Sequence, residues 1–142
     1  MIYDIIAKIK SITTKAVTSI KQFEKELSAL IEAVLKTYNK AKQKKRGTSY
    51  HWHHIVAQSA AKAWPARSVL YANDLDPGNP FNLVWISQRM HSGVHTNAYY
   101  AAVNTLFVST YTVKKRERMG YIYALWVSIA CILTAVDISI NQ

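Results

Sequence analysis

Apolar residues recur at Ile2, Ile6, Ile9, Ile20, Phe23, Leu27, Leu30 and Val34, with Ala16 keeping the spacing. Alternating steps of three and four predict amphipathic helix over residues 2–38, with lysine and glutamate on the opposite face. Thr13 and Thr37 interrupt the stripe. Such a stripe serves either a coiled coil or partner-binding helix, or amphipathic helices packed on the body of the same domain. "NKAKQKKRGTS", residues 39–49, follows as a frayed helix end and a basic linker containing Gly47.

The pattern then changes. Ile55 and Val56, directly after a histidine pair, are strand residues. "SAAKAWPARSVLYAN" reads as a helical insertion with Pro65 near a turn start, and "DLDPGNPF" as a loop in which Asp74 and Asp76 are turn and cap residues. "NLVWIS", residues 82–87, alternates as a short strand, and helical spacing returns from about Gln88 to Leu106. The order is strand, long loop with a helix, strand, helix. The expected class is α+β, predominantly helical, with residues 1–47 as an amphipathic segment and basic linker and residues 48–142 as the domain proper.

"YIYALWVSIACILTAV", residues 121–136, carries no charge, and Asp137 ends it. Its length, roughly 24 Å as helix, falls short of a ~30 Å hydrocarbon core. A buried helix covered by the N-terminal amphipathic segment is the favoured reading, with no stable membrane span.

Charge narrows the partners. The chain has 142 residues, a net charge of +10 and a pI near 9.8, which suits polyanions. Residues 1–50 hold eleven lysines and arginines against four acidic residues, and residues 51–142 hold seven against four. Half of the residues are apolar, ample for a core and against disorder. Cys131 is the one cysteine, which excludes an intrachain disulfide and a cysteine-based zinc site. "MIYDIIAKIK" has an early acidic residue and no apolar h-region, so no secretory signal is expected there.

The candidate chemistry lies in the histidines. Three of five fall in "SYHWHHIVAQ", residues 49–58; the others are His91 and His95. His91 and His95 stand four apart on a predicted helix and share a face, a common arrangement for a divalent metal. His53 and His54 are neighbours on a predicted strand and point to opposite sides, so one can face a metal and the other a substrate. Three neutral imidazoles leave a coordination position open, which can take a phosphate oxygen. A fourth, unligated imidazole is a suitable base for water, and an asparagine such as Asn82 could orient it by hydrogen bond.

"HHIV", "NPFNLVWI" and "H-x3-H-TNAYYAAVN", with eight residues between Asn82 and His91, resemble the His-Me finger (HNH/endonuclease VII) nucleases. The similarity covers about residues 50–107 and is nearest to the AHH-type toxin nucleases of bacterial polymorphic toxins. It implies a ββα-metal motif, one divalent ion (Zn, Ni, Mg or Mn), and hydrolysis of phosphodiesters, with DNA favoured over RNA. His54 would be the general base, Asn82 the brace of the base loop, and His53, His91 and His95 the metal ligands. Tyr99 and Tyr100 match a tyrosine pair of the subgroup, serving either substrate contact or packing. The resemblance further implies an effector domain delivered into a target-cell cytoplasm and neutralised by a cognate immunity protein. Trp52 departs from the alanine that gives the subgroup its name.

Other candidates are weaker. Arg67 and Arg89 could clamp a phosphate, and Lys114, Lys115, Arg116 and Arg118 could extend a phosphate-binding surface or merely solvate a helix end. His51 is expected at the rim of the site. Two competing readings keep the same residues: a metal-dependent RNase, and a zinc-stapled interaction module in which His51 completes a closed site. A membrane-inserting tail would leave the histidines and Asn82 unexplained.

Overall fold

The computed structural model describes residues 25, 28–36, 39, 43 and 49–142. The N-terminal stripe from Ile2 to Leu27, most of the basic linker and the boundary at residues 47–48 lie outside the described residues. Residues 28–36 are helical, and Leu30 and Val34 are buried in the main core, so this part of the stripe packs on the body.

Strand β1 (Tyr50–His54) pairs antiparallel with β2 (Leu83–Ser87), in register His51 with Ile86 and His53 with Val84. Between them lie a 3-10 turn, helix α1 (Trp64–Ala72) and a turn-rich loop; α2 (Gln88–Val94), α3 (Asn97–Val108) and α4 (Lys115–Ile140) follow. The fold is α+β and mostly helical with a small two-stranded sheet, in the expected order of elements.

Local rules explain the boundaries, including three that differ from expectation. β1 ends at His54; Ile55 and Val56 are buried beyond it rather than inside it. Pro65 opens α1, where a missing N–H is harmless. Asp74, just past that helix, takes the left-handed conformation at φ 56°, and Asp76 accepts from Gly78 N in a tight turn. Asn82 ends a 3-10 turn instead of opening β2. The helix expected from Gln88 to Leu106 is two helices: His95 leaves helical geometry at ψ 67°, and the Thr96 hydroxyl caps the next helix by accepting from Tyr99 N.

The tail differs most. α4 has 26 residues, about 39 Å, and is long and apolar enough to cross a membrane by length and composition. Its helical geometry starts before the apolar run and continues past Asp137, so the sequence-based length was too short. It is not wholly buried. Ile122, Leu125, Trp126, Ile129 and Leu133 fill the core, while Val127 and Ile138 on the opposite side are about half exposed.

Asp137 has a role that its position at the end of an apolar run conceals. Its buried carboxylate accepts from the Ser87 backbone N–H at 3.0 Å, from the Ser87 hydroxyl and from Asn141 Nδ2 at 2.9 Å. Ser87 is the N-cap of α2, so α4 pins the base of the helix that carries His91. Asp137→Ala leaves buried donors unpaired and is expected to lower stability by about 3 kcal/mol. A thermal melt should fall by roughly ten degrees; an unchanged midpoint would show that Ser87 finds other partners.

Candidate metal centre

Opposed residues of an antiparallel pair share a face. His51 and His53 therefore lie on the face of Val84 and Ile86, which points into the core. The turn at Ser87 brings α2 against this face, where the His91 ring lies 5.5 Å from that of His51 and 5.4 Å from that of His53. His95, just past the helix end, also stands 5.4 Å from His53. One ligand atom from each of His53, His91 and His95 falls within 4.8 Å of the others.

The nitrogens can be sorted by their partners. Tyr99, buried against β1, donates its single hydroxyl hydrogen to the Ile55 carbonyl at 3.2 Å. Its oxygen, 2.9 Å from His53 Nε2, must then accept, which places the His53 proton on Nε2. His53 Nδ1 is left as a bare lone pair, buried and without a hydrogen-bond partner. Burial, then the charges of His95, His91 and His54, hold the His53 pKa down to about 3, so the ring is neutral.

The other two fit the same purpose. His95 Nδ1 is 3.0 Å from the Tyr100 hydroxyl, leaving Nε2 to face His91 Nε2 at 3.2 Å. Two nitrogens bound to one ion at about 2.0–2.1 Å with tetrahedral angles stand roughly 3.3–3.4 Å apart. Burial and then neighbouring histidines push His91 below the usual imidazole range, and burial lowers His95. Three neutral imidazoles, one with an orphaned lone pair, make a donor set that fits a divalent ion. Exposure rises from buried His53 to exposed His95, so the site opens to solvent on one side.

The remaining candidates are placed as follows. His54 is half-buried, outside the triad but within electrostatic reach of His53 and His91. His51 is exposed at the rim, stacked on His91. Asn82 is buried: its Oδ1 accepts from Val56 N at 2.8 Å, and its Nδ2 donates to the Val56 and Pro77 carbonyls at 3.0 and 2.8 Å. Those bonds hold the backbone leaving β1, and none reaches the His54 ring; any orienting effect passes through the loop.

Both arginines bond to backbone carbonyls. Arg67 is buried, and its Nη1 donates to the Ala57 and Ala60 carbonyls at 2.8 and 3.0 Å. It braces the loop after β1, with its guanidinium carbon 5.5 Å from the centre of the Trp64 ring. Arg89 donates to the Ile140 carbonyl at 3.0 Å, tying α2 to the end of α4. Lys114 and Lys115 are exposed but sit at the opposite end of α4 from Asp137, about 33 Å away along the helix.

Tyr99 and Tyr100 are the residues whose role the sequence left open: each hydroxyl touches a histidine of the triad. H-x3-H with a Tyr pair after three intervening residues was the signal, and the chain leaves helical geometry at His95 before that pair. Tyr100→Phe is expected to weaken Zn²⁺ binding about tenfold or more, as loss of an outer partner does, with little change in melting. Unchanged affinity in a competition titration would mean that this hydroxyl does not orient His95.

No curated protein and no solved structure matches the chain. Comparison with protein families matches residues 34–118 to the AHH family, described as a nuclease family of the HNH/ENDO VII superfamily with conserved AHH; in this chain Trp52 stands before the two histidines. With more than half of its length inside that match, the chain belongs to the AHH nuclease family of the HNH/endonuclease VII superfamily.

Proposed function

We propose that this nuclease is a metal-dependent endonuclease, with DNA as the favoured substrate, in which β1, β2 and α2 form the ββα-metal unit. One observation carries the reading: His53, His91 and His95 converge, His53 Nδ1 is buried without a hydrogen-bond partner, and His54 follows directly on the same strand.

In this reading His53 Nδ1, His91 Nε2 and His95 Nε2 hold one divalent ion. When bound, it supplies Lewis acidity toward a phosphate oxygen and the departing oxygen. His54 takes the proton from a water whose oxygen attacks phosphorus; the P–O bond on the far side breaks, and the leaving oxygen is protonated from solvent. Asn82 keeps the backbone after His54 in place. Tyr99 and Tyr100 hold the ligand tautomers. Nitrogen ligands suit Zn²⁺ or Ni²⁺ better than Mg²⁺, while availability also admits Mg²⁺ or Mn²⁺.

The resemblance of the "HHIV" and "H-x3-H-TNAYYAAVN" segments to the toxin subgroup supports the biological side of the proposal. The domain acts as an effector delivered into the cytoplasm of a target cell, and its producer holds an immunity protein against it. A net charge of +10 suits both a polyanionic substrate and an acidic inhibitor.

The test is plasmid cleavage by metal-stripped protein with Zn²⁺, Ni²⁺, Mg²⁺ or Mn²⁺ restored singly, beside structured RNA. DNA should be cut only when an ion is restored. Cutting of RNA alone would keep the chemistry and overturn the substrate; no cutting of either, with zinc bound to folded protein, would favour a zinc-stapled module.

A further inference from the structure

The sheet has a second face that the triad does not use. Alternation places Tyr50, Trp52 and His54 on it, and the register sets Trp85 opposite Trp52. Tyr50 stacks on Trp85 with centroids 5.9 Å apart and 17° between planes, and Trp52 leans against Trp85 at 4.9 Å. Such pairs stabilise a short ladder. Ladder contacts do not require the rings to stay open to water, yet Tyr50, Trp52 and Trp85 are 44, 58 and 50 % exposed. A contiguous exposed apolar patch on a folded domain marks an interaction surface. Its central ring is this chain's departure from its family, since Trp52 occupies the position before the histidine pair where the family has alanine.

We propose that Tyr50, Trp52 and Trp85 form a stacking platform for unpaired bases of the nucleic-acid substrate, beside the scissile phosphate. The proposal rests on the nuclease reading, because the platform's position matters through His54. Residues two apart on a strand are about 6.6 Å apart, so a base on Trp52 lies within one nucleotide of the His54 side chain on the same face. Every base presents a π-face, so tryptophan platforms hold single strands with little sequence preference. The basic chain supplies attraction for the phosphates on either side. The platform thus selects substrate with locally unpaired bases, and the rings discriminate by stacking where Arg67 and Arg89 are committed to the fold.

The experiment uses the full chain carrying His54→Ala, which keeps the strand intact, and compares a labelled octathymidylate with an abasic oligomer of the same length and charge. The base-bearing strand should bind about tenfold tighter or more, within the roughly five- to hundredfold that one stacked base contributes. Adding Trp52→Ala, the residue natural to the family, or Trp85→Ala should remove most of that ratio and leave abasic binding unchanged; Trp52→Phe should keep part of it. Circular dichroism checks each fold. Equal binding of the two oligomers, or a ratio untouched by both tryptophan substitutions, overturns the platform. Plasmid cleavage by wild-type protein is scored separately: cleavage with no base preference sinks the platform alone. Base preference without cleavage sinks the nuclease reading and keeps the platform as a binding surface.

Discussion

His54→Ala is expected to reduce cleavage by roughly a hundred- to ten-thousandfold, the range carried by a positioned general base. Zn²⁺ affinity should stay within a factor of a few of wild type, because His54 is not among the three converging imidazoles. The melting temperature should hardly move, since the residue is only half-buried at the end of β1. Cleavage kinetics, a zinc competition titration and a thermal melt on one preparation separate the possibilities. A variant that cuts at wild-type rate would remove His54 from the chemistry. One that loses zinc would make it a ligand and leave the base unassigned.

His53→Ala and His91→Ala should behave differently from that variant and from each other. Each removes one of three donors, so Zn²⁺ affinity should fall by more than the ten- to hundredfold associated with an outer-shell partner, and cleavage should fall with it. His91 is partly exposed in the last turn of α2, and its loss should leave folding nearly intact in the absence of metal. His53 is buried and bonded to Tyr99, so its truncation leaves a cavity and removes a buried hydrogen bond, while the Tyr99 hydroxyl keeps the Ile55 carbonyl. That should cost about 2 kcal/mol even without metal. If removal of either histidine instead unfolded the domain while His54→Ala was silent, metal-binding energy would be folding energy and the site a structural staple.

Much of this could be read along the chain. The strand–helix–strand–helix order follows from period and breakers, and Pro65, Asp74 and Asp76 sit where turn chemistry places them. The H-x3-H spacing does bring His91 and His95 together, but by another route: the helix stops between them, and His95 closes the gap from its C-cap. Asn82 was singled out, yet its partners proved to be the backbone of Val56 and Pro77, because a buried carboxamide satisfies the nearest unpaired peptide groups first. Arg67 and Arg89 bond to backbone carbonyls for a related reason. The residue type does not distinguish an arginine that meets phosphate from one that answers the carbonyls of the preceding loop or of a distant helix end.

The sequence by itself determined which residue types this protein brings to chemistry and the local geometry each inherits. Adjacent histidines on a strand diverge, and a basic chain attracts a polyanion, wherever the segment is placed. Tertiary structure alone decided that β1 meets α2, that His53 carries its proton on Nε2 beneath Tyr99, that a carboxylate on α4 anchors the ligand helix, and that three aromatic rings stay open beside His54. Those outcomes depend on strand register and on burial across separations of 30 to 50 residues. There, hydrogen-bond satisfaction and packing select one arrangement that no local pattern of side chains encodes.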